Sequence, residues 1–188
     1  MRKTLFSGAL LASALLLGAC GSTESPAAPP TASTQSGHNA ADLAFAQQMI
    51  PHHRQALDMA KMVPSRSSNP KVVDLAGRID RAQDPEIRQM QGWLDAWGAP
   101  SSMPGHDMSG RQMTGMMSDA DMKSLETATG AAFDRAWLDM MVKHHQGAVE
   151  MAKAELAHGS DAGAKALAQR IIDAQQAEIG EMQSLRKS

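Results

Sequence analysis

The second half of the sequence repeats the first half at a fixed distance, and this repeat limits the folds open to the chain. A shift of 92 residues aligns two ungapped blocks, 45–61 with 137–153 and 75–91 with 167–183. The earlier block of each half contains a pair of adjacent histidines. A repeat of this kind indicates a supersecondary unit that buries its apolar face only by packing against its copy.

Each repeat has the pattern of a helical hairpin, because apolar residues recur at spacings of three and four. Pro64 with the Ser-rich stretch after it, Gly98 and Gly159 are typical helix-ending signals. Ser118 and Ser160 are candidate N-terminal caps, and Asp121 completes a capping-box variant with Ser118. The sequence predicts helices over 42–63, 71–97, 131–158 and 161–186, and a short helix over 119–127.

Two hairpins joined by a long connection predict an all-α fold, a ferritin-like four-helix bundle made of repeated helical hairpins with a long crossover. We place the domain at 40–188, its repeats at about 42–97 and 134–188, and a crossover rich in Met and His at about 98–130. A pair of separate hairpin domains is the alternative, but one hairpin is too small to bury its own apolar face.

The N-terminus has the pattern of a bacterial lipoprotein signal peptide over residues 1–19, with Cys20 as the lipidated residue. A plain signal peptide with an incidental cysteine is the alternative. Residues 20–39 are rich in Ser, Thr, Pro and Ala and predict a flexible tether. We therefore expect an extracytoplasmic protein anchored to the membrane through Cys20, with no disulfide and no thiolate metal site because the chain has a single cysteine.

Charge and composition argue against two classes of function. The formal net charge is −2 and the sequence has no basic patch, so nucleic-acid binding is not expected. No arrangement of a nucleophile with a base is evident, so an enzyme is the less favoured interpretation. Nothing in the sequence identifies a protein partner.

The histidine pairs lie on or beside the apolar stripes of the first and third long helices. His52 and His144 fall on the stripes, whereas His53 and His145 flank them by one position. The stripes of the other two helices include carboxylates: Leu75, Ile79, Ala82, Glu86 and Met90, and Leu167, Ile171, Ala174, Glu178 and Met182. Because a buried carboxylate needs a partner, we expect His144 beside Glu178 and the equivalent pair, His52 and Glu86, in the first half.

Whether a metal joins these groups is left open by the sequence. Imidazole and carboxylate groups projected from facing helices are how bundles build metal sites. Met49 and Met141 each precede His53 or His145 by four residues, so a thioether and an imidazole share a helix face. The alternative is a metal-free hydrogen-bonded histidine–glutamate pair in each half. Pro51 adds either a kink before the first pair or a helix break at Ile50.

The crossover adds soft ligands, because thioether and imidazole groups suit Cu(I). The alternative is that part of this segment packs on the bundle as an apolar cover. We consider Cu(I) the preferred metal ion, with Cu(II), Ag(I) and Zn(II) as alternatives. The candidate ligands in the crossover are Met103, His106, Met108, Met113, Met116 and Met117.

Several motifs resemble the bacterial family called domain of unknown function 305 (DUF305): "MIPHH", "MMVKHHQGAVEMAK", "LAQRIIDAQQAEIGEM" and "GMMSDADMKSLE". The resemblance implies a ferritin-like bundle, an exported location and, for some members, copper binding linked to copper tolerance. One departure between the halves is Gln55, which stands where the second half has Gly147 and puts the equivalence of the two histidine pairs in doubt. The residues that match the family's recurring positions are His52, His53, His144, His145, Met49 and Met141.

Three functions follow from these observations. The preferred one is an exported, lipid-anchored protein that sequesters or transfers Cu(I) through the histidine pairs and the crossover. The alternatives are a ferritin-like di-metal oxidoreductase, for which two inward glutamates are few, and a metal-free helical interaction module.

Overall fold

The computed structural model describes residues 37–101 and 113–187, and these parts of the chain are helical with short connections. The long helices pack as a four-helix bundle, in which α1 contacts α2 and α4, and α5 contacts α4 and α2. This arrangement confirms the predicted all-α bundle of two hairpins. None of the helices described is long and apolar enough to span a membrane. The helices are α1 (Ala40–Arg66), α2 (Pro70–Ala96), α3 (Asp119–Thr127), α4 (Gly130–His158) and α5 (Ala162–Leu185).

Side-chain caps fix the start of every long helix except α4, whose N-cap residue Thr129 makes no such hydrogen bond. Asn39 opens α1 and Ser118 opens α3, each within a capping box, so the predicted box at Ser118 is confirmed. The predicted cap of α5 was wrong by one residue. Asp161 accepts from the backbone N–H of Ala164 and caps the helix, because Ser160 is already hydrogen-bonded to Asp42.

Helix α1 passes through both of its prolines without a break, so neither an end at Val63 nor a break at Ile50 is found. Pro51 removes one backbone donor from the helix interior, but buried residues on both sides of it hold the helix together. Pro64 lies in the last turn, and the backbone N–H of Ser67 still reaches the carbonyl of Val63 at 2.9 Å.

The core has two apolar clusters with a layer of histidines between them. On α1, Ile50 belongs to the first cluster and Ala56 to the second, and the histidine pair lies between these positions. On α4, Val142 belongs to the second cluster and Ala148 to the first, again with the histidine pair between them. The bundle therefore places all four imidazoles at one level.

One end of the bundle is tied together by the buried carboxylate of Asp42. It accepts from the backbone N–H groups of Asn39 (2.6 Å), Ser160 (3.1 Å) and Asp161 (2.9 Å), which joins the start of α1 to the start of α5. Burial alone would raise the pKa of Asp42, but hydrogen bonds from Glu155 and these backbone groups outweigh burial and lower it to about 2. Burial, with hydrogen bonding and repulsion from Asp42, raises the pKa of Glu155 to about 8.

Candidate metal centre

The centre of the site is a pair of imidazoles from different hairpins. His52 of α1 and His144 of α4 have ring centroids 3.7 Å apart, with their planes inclined at 38°. Both rings are buried in the histidine layer. Since α1 and α4 are equivalent helices of the two repeats, this contact lies where the repeats meet.

The outer histidines are each held by a glutamate. His53 Nε2 donates to Glu86 Oε2 at 2.7 Å, and His145 Nε2 donates to Glu178 Oε2 at 2.8 Å. The expected partnership of His144 with Glu178, and that of His52 with Glu86, was therefore wrong. In both halves the carboxylate binds the histidine that follows the stripe position, so the two repeats keep the same geometry.

The same correction applies to the stripes of α2 and α5. Gln83 and Gln175 are buried, whereas the predicted stripe residues Ala82 and Ala174 are exposed. The side chains of Glu86 and Glu178 lie at the edge of the core, 21% and 14% exposed. The ends of both stripes are buried as predicted, so the difference is confined to the middle of each helix, where the buried face passes through Gln83 and Gln175.

The imidazoles of His52 and His144 are neutral. Burial, followed by repulsion from His53, lowers the pKa of His52 to about 3. Burial, followed by repulsion from His52 and His145, holds the pKa of His144 well below its usual value. A neutral imidazole keeps one lone pair, which is the form that binds metals.

These lone pairs have no protein partner. The Nδ1 atoms of all four core histidines are buried without a hydrogen-bond partner, as is Nε2 of His144. A buried acceptor without a partner costs about 1–3 kcal/mol. Glutamates on Nε2 of His53 and His145 leave Nδ1 as the free acceptor, and such carboxylate–histidine contacts typically orient metal-binding imidazoles. The buried imidazoles therefore carry nitrogen atoms that are chemically able to bind a metal ion.

The predicted methionine ligands that the structure describes fall into two groups. Met49 and Met141 are fully buried within the core clusters. Met113, Met116 and Met117 are half-buried at the end of the crossover. The remaining candidate ligands, and the candidate lipidation residue, lie outside the described residues: Met103, His106, Met108 and Cys20.

The end of the crossover lies over the contact between His52 and His144. The carbonyl of Thr114 lies 3.3 Å from His52 Nε2. The Gln55 side chain accepts from the backbone N–H of Met117 at 2.7 Å and donates to its carbonyl at 2.8 Å. On α4, a Cβ added at Gly147 would lie 2.1 Å from the Thr114 carbonyl oxygen, so the crossover fits only against a glycine there.

The sequence did not reveal this contact, although it contained a signal for it. Gln55 and Gly147 occupy equivalent repeat positions, and their difference puts the equivalence of the two histidine pairs in doubt. The structure gives each residue a function in holding the crossover, Gln55 by hydrogen bonds and Gly147 by its small size. A position that differs between the two repeats can therefore indicate contact with a segment, such as the crossover, that is not itself repeated.

Within residues 37–101 and 113–187, no group of three or more His, Cys, Asp or Glu side chains has a geometry able to hold a metal ion. A carboxylate-rich two-metal centre of the ferritin type therefore gains no support from this part of the chain. Cu(I) accepts few ligands and takes thioethers, so a histidine–methionine site does not require such a group.

A duplicated-hairpin bundle with a histidine layer in its core defines the structural class of this protein. The chain belongs to the family described as Domain of unknown function (DUF305), whose model matches residues 42–186. It is similar to a DUF305 protein from Streptomyces coelicolor, described by name as secreted, at 36% identity, covering 77% of this chain and 91% of that one with a TM-score of 0.73.

Two further relatives are CopM, which matches most of this chain, and a viral protein, which matches a short part of it. CopM in a Cu(I)-bound form is 31% identical, covering 78% of this chain and 95% of CopM with a TM-score of 0.66; CopM is also known in Cu(II)-bound and Ag-bound forms. The uncharacterized protein L153 of Acanthamoeba polyphaga mimivirus is 37% identical over 54 residues. That match spans 36% of the length of the viral protein and 29% of this chain.

Proposed function

We propose that this protein is an extracytoplasmic copper-binding protein that holds Cu(I) in the core of its bundle. The observation that carries the proposal is the layer of four buried imidazoles with unpartnered Nδ1 atoms, two of which are in ring contact across the hairpins. The likeness to CopM, whose structures include Cu(I)-, Cu(II)- and Ag-bound forms, supports copper as the ion. Cu(II), Ag(I) and Zn(II) are the alternatives.

We assign the ligands by their chemistry. Neutral His52 and His144 supply imidazole nitrogens from both hairpins, and the buried Met49 and Met141 supply thioethers from the clusters on either side of the histidine layer. Glu86 and Glu178 act by orienting His53 and His145. Copper is cargo in this proposal, to be sequestered or passed on. The crossover residues Met103, His106 and Met108 are further proposed ligands.

We further propose that the chain is exported and anchored through a lipid on Cys20. The support is the signal-peptide pattern with its terminal cysteine, together with the name of the Streptomyces relative. Metabolic labelling with a radioactive fatty acid tests the anchor. Label should enter the wild-type protein and be absent from Cys20→Ala.

An anaerobic Cu(I) competition titration tests the central proposal. We expect the double variant His52→Ala with His144→Ala to weaken Cu(I) binding by at least about tenfold. Residues that bind the metal directly contribute at least as much to its affinity as the groups that orient them. The matched control is His158→Ala, which removes an exposed histidine from the same α4 helix and should bind as the wild type does.

Equal affinity and equal copper content in the double variant and in the control would overturn the proposal. Helix content, measured by circular dichroism, separates lost ligands from lost folding. If the double variant fails to fold, His144→Gln keeps more of the volume and polarity of the side chain and replaces it in the titration. A melting temperature that stays constant with Cu(I), Cu(II) and Zn(II) would favour a metal-free interaction module, since an ion bound only to the folded state must raise it.

A further inference from the structure

An open cavity of about 720 Å³ lies where the end of the crossover meets α4. Four half-buried methionines line it, three from the crossover and one from the helix: Met113, Met116, Met117 and Met140. Met140 was not among the candidate ligands of the sequence. The cavity thus gathers thioethers from two separate segments of the chain.

The packing of these methionines argues against a purely structural function. Met117 and Met140 pack partly against the second core cluster, as half-buried methionines usually do. Met113 and Met116 line the cavity but join neither core cluster of the described residues. A thioether that borders an open cavity has little to gain from burial, so its ligand chemistry becomes the better explanation.

Comparison of the two repeats shows that the cavity belongs to the second half. Met140 stands where the first half has Gln48, and Gly147 stands where it has Gln55. Gly147 lets the crossover backbone approach α4, and Met140 places a soft ligand beside that approach. Both departures from the repeat therefore fall on the walls of one cavity.

From this juxtaposition we infer that the cavity is an outer Cu(I) site, distinct from the histidine layer. Thioethers select Cu(I) over harder divalent cations, and the cavity is open to solvent. The inference rests on the proposed function for the identity of the ion and, in its loading step, for the buried site. The outer site holds Cu(I) through Met113, Met116 and Met140.

The outer site adjoins the buried histidines through Thr114. This residue lines the cavity, and its carbonyl oxygen contacts His52 Nε2. Thr114 therefore lies between the cavity and the His52 ring. The outer site loads the inner one, and transfer requires the Thr114 carbonyl to leave His52.

The test uses the full chain under anaerobic, reducing conditions. The variant Met116→Leu with Met140→Leu preserves side-chain volume but removes two thioethers. Cu(I) titration against a chelator should show about one fewer bound equivalent in this variant. Stopped-flow loading of the inner site should slow several-fold, while the affinity of that site stays unchanged.

The control is Met62→Leu with Met151→Leu, which removes two half-buried methionines that do not line this cavity. It should match the wild type in copper content and loading rate. Ag(I) added to protein with labelled methionine methyl groups should shift the Met113, Met116 and Met140 signals before those of Met62 and Met151.

Equal stoichiometry and loading rate in the cavity variant and the control would overturn the outer site. Failure of the proposed function gives a different result, in which the His52→Ala with His144→Ala variant binds as the wild type does. An outer equivalent that disappears with the methionines while the histidine variant has no effect would support the cavity and refute the buried site.

Discussion

His53 and His145 show, at the scale of single residues, how a histidine pair divides its tasks. In each half one imidazole is held by a glutamate at the edge of the core, while its neighbour faces the other hairpin. The sequence predicted both histidines and both glutamates, but joined the wrong members. Adjacent residues on a helix differ by about 100° in direction, and only the packing of neighbouring helices determines which one meets the carboxylate.

Replacing Glu178 with Gln should weaken Cu(I) binding while leaving the fold in place. An amide accepts a weaker hydrogen bond than a carboxylate, so His145 loses part of its orientation and basicity. Loss of a group that orients a metal-binding histidine typically reduces metal affinity by about 10–100-fold. Competition titration measures the loss, and Glu181→Gln, on the same α5 helix with its own ion pair to Arg78, serves as control. An effect of equal size in both variants would contradict the assigned orienting function.

At the scale of elements, the crossover is the part of the molecule that a repeat cannot predict. Helix periodicity determines the hairpins, because each helix follows from a local pattern of apolar residues. The docking of residues 113–117 depends instead on a space above Gly147 and on the amide of Gln55. Those are long-range contacts with no local pattern, and they become visible only when the two halves are superimposed.

Gly147→Ala should therefore destabilise the protein, although alanine is usually favoured within helices. The added methyl group would lie 2.1 Å from the Thr114 carbonyl oxygen, so the crossover must move or detach. We expect a loss of about 1–3 kcal/mol in the free energy of unfolding, measured by urea denaturation. The matched control is Gly180→Ala on α5, where an added Cβ meets nothing within 4 Å; it should gain up to about 1 kcal/mol. Equal stability changes in the two variants would show that the crossover does not pack closely against α4.

For the whole molecule, the sequence predicted the architecture well because duplication and amphipathic periodicity both act over long stretches. It missed the continuity of α1 through Pro51 and the cap by Asp161, since each depends on tertiary contacts that offset a local preference. The tie between Asp42 and the start of α5 is of the same kind. It joins residues more than a hundred positions apart in the chain, so no local sequence pattern predicts it.

The carboxyl pair at this end of the bundle makes overall stability depend on pH. Glu155 has a raised pKa of about 8 against an ordinary value of 4.5, so between these values the folded state binds more protons than the unfolded state. The free energy of unfolding should then fall as pH rises from about 4.5 to about 8, by on the order of 1 kcal/mol or more. Asp42 and Asp161 raise this pKa, and Lys165 opposes them.

Urea denaturation at a series of pH values tests this dependence. Glu155→Gln carries no ionisable proton and should flatten the curve across that range, whereas Glu150→Gln, at an exposed position of α4, should keep the slope of the wild type. Asp42, with its pKa lowered to about 2 from 3.8, supports the fold above pH 3.8 and loses its contribution only in stronger acid. A slope that persists in Glu155→Gln would assign the dependence to other groups.

The contact between His52 and His144 has one more consequence, because it is formed between the two hairpins rather than within either of them. Each half of the chain carries one ring, and the 3.7 Å between the rings measures how the halves are seated against each other. Any event that slides one hairpin past the other changes this spacing directly, wherever on the surface it begins. The affinity for the proposed Cu(I) ion would therefore depend on the relative position of the two hairpins, even when the change begins far from the histidines.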